Sequence, residues 1–277
     1  MLMSSLNLFS RFTRFSPSVI KKSLFPISPG HLSNGAITQP RVQDQIYPPR
    51  SWSRTMTINS PQVNIRDGID GLAVEKWGWV IYRCTYDDDE TWAKFRAQVE
   101  ARSRQKIAQS DAPEIADRLE WTWVEDAASL DGVSTDALRE RFRAWVADEV
   151  ARQPGDYYSP AIPRFRYFIK IDKEVLQTLA QSNPFNPLRS NTAFVKFVDG
   201  NWEPDLPLTI ASEEAEEEEH DFSQDEALEP IEGCIEKDVG WMRIAPYMIN
   251  ADFYEALGGD ENDWFIFYER PPSIVRY

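Results

Sequence analysis

Trp77-Gly78-Trp79-Val80-Ile81-Tyr82-Arg83-Cys84-Thr85-Tyr86 runs directly into Asp87-Asp88-Asp89-Glu90. The first ten residues are rich in aromatic and β-branched side chains, the composition of a strand. Trp77, Trp79 and Ile81 fall on one side of such a strand, and Val80, Tyr82 and Cys84 on the other. Both sides are largely apolar, which predicts a central strand covered on both faces. The acids that follow mark a helix start. With Asp87 as N-cap, Glu90 stands three residues later as in a capping box, and acids in a first turn suit the helix dipole. Trp92, Phe95 and Val99 at helical spacing then predict a helix over residues 88–108.

Outward from this unit the pattern repeats. Leu119, Trp121 and Trp123 alternate with Glu120 and Thr122, a second, half-buried strand. Asp131-Gly132 makes a turn and Ser134 an N-cap; Leu138, Phe142, Trp145, Val146 and Val150 stripe a helix over 135–151, ended by Pro154-Gly155. Phe165, Tyr167, Ile169 and Ile171 mark a third strand, followed by a short helix from Lys173 to Ala180, and Pro184 and Pro187 break it. Ala193–Val198 reads as a fourth strand, Gly240–Ile244 as a fifth and Trp264–Tyr268 as a sixth, with a short helix at Ala251–Leu257. Strands feeding helices through the polar caps Asp87, Asp172 and Asn250 favour the α+β class. The expected topology is a ferredoxin-like α/β sandwich with an inserted helix at 135–151 and a C-terminal strand–helix–strand extension. It forms a single domain over 75–272, after a linker at 56–74 and before a tail at 273–277.

Charge divides the chain sharply. Residues 1–55 carry seven Lys/Arg and one acid, whereas residues 56–277 carry 23 Lys/Arg and 44 acids. Leu2, Leu6, Phe9, Phe12 and Phe15 share one helical face opposite Arg11 and Arg14, the pattern of a mitochondrial transit peptide. Met56 offers the competing explanation that translation starts there. The expected compartment is the mitochondrial matrix on the first reading and the cytoplasm on the second; either way, residues 1–55 form a disordered leader outside the fold.

The net charge of −15 argues against nucleic acid as a partner, and no run approaches the roughly 18 apolar residues of a membrane helix. Histidine is nearly absent: after the leader only His220 remains, which disfavours His-based catalysis and zinc sites. Cys84 and Cys234 have no Cys or His neighbour in sequence and read as small buried residues. No Gly-rich phosphate loop or nucleophile elbow occurs, and no metal or cofactor is implied. Ala193–Phe197 matches the end of an RNA-recognition strand but lacks its basic-Gly-aromatic front, so it reads as a core strand.

The candidate ligand-binding residues are Asp87, Asp88, Arg164, Arg166 and Tyr167. Adjacent carboxylates at a strand-to-helix turn suit a hard cation or a shared proton, although capping explains the same residues. Arg164, Arg166 and Lys170 lie along the third strand, where they suit an acidic ligand group or the solubility of an edge strand. Arg139, Arg141 and Arg143 read as a solvated helix face. Residues 213–229 hold ten acids and no Lys or Arg, within a disordered acidic loop at 211–230 that suits a basic protein partner.

The Trp77–Tyr86 string with Asp87-Asp88 and Trp92 resembles a widespread group of proteins of filamentous fungi with no assigned activity. Glu125-Asp126, Leu130-Asp131-Gly132, Arg141-Phe142 with Trp145, Asp238–Met242 and Tyr268–Pro272 extend the resemblance over most of 75–272. It implies no site residue and no reaction. The leading expectation is therefore a soluble binding protein acting in protein interaction. The alternative is a small-molecule-binding domain, or an enzyme independent of histidine, with a cleft over the sheet.

Overall fold

A computed structural model of the chain describes residues 59–152, 162–188, 191–204, 228–259 and 262–277, all within one compact unit, Thr55–Tyr277. The leader, Pro154-Gly155 and residues 213–227 of the acidic run lie outside the described residues.

The chain enters through α1 (Pro61–Gly71), then β1 (Val80–Arg83) and α2 (Asp89–Ala108). β2 (Thr122–Glu125), a short α3 (Ala127–Leu130) and α4 (Thr135–Arg152) follow. Next come α5 (Pro163–Arg166), β3 (Tyr167–Ile171), α6 (Lys173–Gln181) and β4 (Val195–Asp199). β5 (Trp241–Ile244), α7 (Ala251–Ala256), α8 (Asp263–Phe267) and β6 (Ile274–Val275) complete it.

These strands form one mixed sheet in the order β2-β1-β3-β4-β5-β6. The α+β class is thus as expected, but the ferredoxin-like topology is not. Such a sheet alternates antiparallel neighbours, whereas β1 here runs parallel to both β2 and β3. The reason is direct pairing after the first crossover. Val80 registers with Thr122, Trp77 bridges Leu119, and Trp121 stacks on Trp79 at 5.7 Å, so no strand can lie between β1 and β2. β3 then takes the other side of β1, and only the β3–β4 and β4–β5 pairs are antiparallel.

The two faces of β1 bury different layers, as its alternation requires. Trp77, Trp79 and Ile81 join the larger core with α2, α6 and α7; Val80, Tyr82 and Cys84 join Leu138 and Phe142 of α4. The decisive stretch is nevertheless not one continuous strand. Gly78 sits at φ +111° with its Cα 's missing Cβ position 2.5 Å from the Glu120 carbonyl oxygen, so the chain kinks there before β1 begins.

Three expectations about the ends are corrected. Trp264–Tyr268 is the helix α8 and its first flanking residue, not a strand. Trp264 is buried and Phe267 and Tyr268 pack beside the core, while Phe265 and Ile266 are exposed, so burial follows the helical period. The sixth strand is Ile274–Val275, within the stretch read as a tail, and it pairs with Arg243 and Ile244. The stretch read as a linker contains α1, whose Ile65 and Ile69 enter the larger core. Its start is legible in retrospect: Ser60 accepts a hydrogen bond from the Val63 amide at 3.3 Å, and Pro61 takes the first helical position.

Candidate functional site

β1 and β3 end side by side. Pairing continues one residue past β1, where the Cys84 amide donates to the Ile171 carbonyl at 2.8 Å. The Gly132 amide, in the loop before α4, donates to the Cys84 carbonyl at 3.1 Å. Beyond these bonds three helices begin: α2 capped by Asp88, α4 by Ser134 and α6 by Asp172. The crossover from β1 to β2 packs α2 on one face of the sheet, and that from β2 to β3 packs α4 on the other. The loops that follow β1 and β3 and the loop before α4 meet here, at the carboxyl ends of parallel strands, the usual ligand position in open α/β sheets.

A cleft of about 450 Å³ occupies this crevice. Cys84, Thr85 and Asp87 line it from β1, Asp131 and Gly132 from the α4 loop, and Lys170, Asp172 and Lys173 from β3 and α6. A smaller hollow of about 150 Å³ adjoins it, sharing Thr85, Asp87 and Lys173.

Most charges in the cleft are matched. At the mouth Lys173 Nζ meets an Asp87 carboxylate oxygen at 2.8 Å, and that hydrogen bond raises the lysine's pKa. Beside the cleft, Lys196 Nζ lies 2.7 Å from Asp172 and 3.4 Å from Glu174, over the Trp241 ring. Burial pulls the Lys196 pKa down, but Asp172 and Glu174 outweigh it and the net shift is upward. Arg243 takes the other oxygen of Glu174 at 2.7 Å. Lys170, itself only 5% exposed, donates to the Thr135 hydroxyl at 3.2 Å. Burial drives the Cys84 thiol up to about 12, with nearby Lys170 opposing the rise only in part. Cys84 is therefore a protonated thiol at neutral pH and no thiolate nucleophile.

The acidic run is dispersed rather than convergent. Asp88, not Asp87, caps α2: its carboxylate accepts from the Thr91 amide at 2.9 Å, and this bond lowers its pKa. Asp87 stands one residue too early to cap and turns to Lys173, Asp89 pairs with Arg83, and Glu90 with Lys94 at 2.6 Å. Four carboxylates thus meet four different partners. Among the described residues no group of three His, Cys, Asp or Glu side chains converges on a metal-sized site.

Arg164, Arg166 and Tyr167 lie at the opposite, amino end of β3, so the structure does not bring them together with Asp87 and Asp88. Arg164 is 2% exposed and donates to the Gly78 and Glu120 carbonyls at 3.2 and 2.9 Å, and to the Glu120 carboxylate and Thr122 hydroxyl at 2.7 and 3.0 Å. Burial opposes ionisation of Glu120, but Lys76 and Arg164 hold its carboxyl below the ordinary range. Arg166 meets Asp199 at 3.2 Å; burial pushes that carboxyl up despite the arginine. Tyr167 is buried, stacked on Trp264 at 5.6 Å. Arg139, expected on a solvated helix face, is buried instead. It donates to the Asp199 and Gly240 carbonyls at 3.1 and 3.0 Å, because α4 lies across the ends of β4 and β5.

Sequence reasoning noted Lys170 as a strand charge but left it out of the candidate residues, and it passed over Thr135 and Lys196. One signal was present: Lys170 and Lys196 each sit between apolar residues in strands too apolar to be edges. No protein-family model, no curated protein and no solved structure matches the chain. Among the described residues no helix is long and apolar enough to cross a membrane.

Proposed function

We propose that this protein binds a small polar molecule in the cleft at the carboxyl ends of β1 and β3. The observation that carries the reading is the position of the cleft: a concave space of ligand size at the carboxyl ends of two parallel central strands. This gives the small-molecule alternative precedence over protein interaction and moves it from over the sheet to the ends of its central strands. Asp87 is the one candidate residue from the sequence that lines it. The proposal is for binding; no reaction is assigned, and the protonated Cys84 supplies no nucleophile.

Two other hollows support a ligand less well. One of about 390 Å³ between α1 and α7 is lined mainly by apolar side chains and backbone, with no buried charge to select an occupant. The other, of about 460 Å³, includes Arg139 among its lining residues, but that guanidinium is already bound to Asp136, Asp199 and Gly240. A basic protein partner at the acidic run 213–229 is a separate reading, resting on its ten acids alone.

The test is a small-molecule screen by ligand-observed NMR on the full chain, repeated on Asp131→Trp. Asp131 is exposed at the rim, so the indole fills the mouth without disturbing the core. Ligands of the wild type should lose at least tenfold in affinity in the variant. Ligands whose affinity is unchanged would place binding elsewhere and overturn the reading.

A further inference from the structure

We infer that the cleft binds its ligand through an oxyanion group, a carboxylate or a phosphate, held by Lys170 Nζ, which the Thr135 hydroxyl positions from behind the cleft wall. This rests on the cleft being the ligand site.

Lys170, Lys196 and Arg243 form a row across the sheet, one per strand, in direct register. Side chains in register share a face, and like charges placed so repel one another unless each is neutralised. Two of the three are neutralised. Lys196 has Asp172 and Glu174, and Arg243 has Glu174. Among the described residues no carboxylate lies within 4.0 Å of the Lys170 amine. Its one bonding partner among the described residues is the neutral Thr135 hydroxyl, itself on a residue 3% exposed.

Removing an ammonium from water costs several kcal/mol unless a counter-charge repays it. An ammonium also carries three N–H donors, of which Thr135 takes one. The remaining donors belong to the buried cation that lines the cleft, whereas its matched neighbour Lys196 does not line it. Of the four acids lining the cleft, Asp87, Asp172 and Glu174 are each bound to another cation, and Asp131 stands exposed at the rim on the side of Lys173. Thr135 opens α4, an 18-residue helix whose positive dipole end adds to the attraction. A ligand oxyanion at this position would supply the missing counter-charge and accept the unused N–H groups.

The experiment is isothermal titration calorimetry of the full chain at low ionic strength with two probes, inorganic phosphate and succinate. It is run on the wild type, Lys170→Met, Lys170→Arg, Thr135→Val and Asp131→Trp, with thermal unfolding as a check on folding. At least one probe should bind the wild type at one site, tenfold or more tightly than it binds Lys170→Met. Lys170→Arg should retain part of the affinity, and Thr135→Val should lose a few-fold, which keeps the test decisive if Lys170→Met fails to fold. Which probe binds distinguishes a phosphate ligand from a carboxylate one. Undiminished binding in Lys170→Met overturns the inference. So does the absence of saturable binding by either anion while neutral ligands from the screen still bind and are blocked by Asp131→Trp, an outcome that leaves the cleft reading standing. Affinity unchanged by Asp131→Trp sinks the cleft reading itself.

Discussion

The two ends of the parallel part of the sheet use buried cations in opposite ways. At the amino end of β1 and β3, Arg164 and Arg139 are closed into hydrogen bonds with carbonyls and carboxylates of neighbouring segments. Among the described residues each of these guanidiniums has several partners. At the carboxyl end, Lys170 is as deeply buried but meets a single neutral hydroxyl, and it borders an open cleft. The contrast separates a group that holds the fold from one held ready by it. Depth of burial does not distinguish the two; the partner list does.

The largest test of the amino end is Arg164→Met. The substitution leaves the Gly78 and Glu120 carbonyls without their donor, and each buried acceptor so stranded costs about 1 to 3 kcal/mol, while the half-exposed Glu120 carboxylate keeps Lys76. Urea unfolding should show that loss at pH 7; a loss under about 1 kcal/mol would mean that this end is not held by its charges and would break the comparison. Gly78→Ala comes next. It places a side chain at φ +111° and against the Glu120 carbonyl, a conformation costing about 2 to 3 kcal/mol. The same unfolding measurement checks it, and an unperturbed midpoint would show that the Trp77–Val80 kink relaxes freely.

Gly78 also shows how far the sequence could be read. The parity of Trp77–Cys84 is legible because alternation survives the kink, and both faces pack as their residues require. The kink itself is not legible, since Gly inside an aromatic run has the same composition whether or not β2 crosses close to it. Strand order fails for a related reason. Periodicity tells that a strand is covered on both faces, but the choice of neighbour is made by long-range pairs such as Trp79 with Trp121, invisible in local pattern. Every residue of the run Trp264–Tyr268 is aromatic or apolar, so the two periods are equally well fitted and only burial separates them. For the cleft, Asp87 was visible as a residue and misread as a cap by one position. Arg164 drew attention because charged residues in strands do so, yet its carbonyl partners are contributed by residues 78 and 120, which no local reading connects to it.

At the carboxyl end the expected effects are smaller. Asp88→Ala removes the α2 cap, a change worth about 1 kcal/mol. It should lower the unfolding free energy by that amount without altering ligand affinity by more than about twofold, because Asp88 does not line the main cleft. A larger loss of affinity would mean that the start of α2 forms part of the site and would blur the line between its capping and binding residues.

The smallest effect is the sharpest test, because it repeats the substitution made at the other end. Lys170→Met removes a buried cation of similar depth and keeps an unbranched side chain of comparable length. Here, among the described residues, no carbonyl is stranded, and the one hydroxyl left behind, on Thr135, can donate as well as accept. Replacing a buried charge that lacks a counter-ion removes its desolvation cost, so the unfolding free energy should stay within about 0.5 kcal/mol of the wild type or rise above it. Urea denaturation of the two Met variants side by side, without added anions, makes the measurement. If Lys170→Met is destabilised as much as Arg164→Met, then Lys170 is a structural group like its counterpart and the contrast between the two ends fails. If it is stable and anions no longer bind, a cation that the fold does not need is retained where only a ligand uses it.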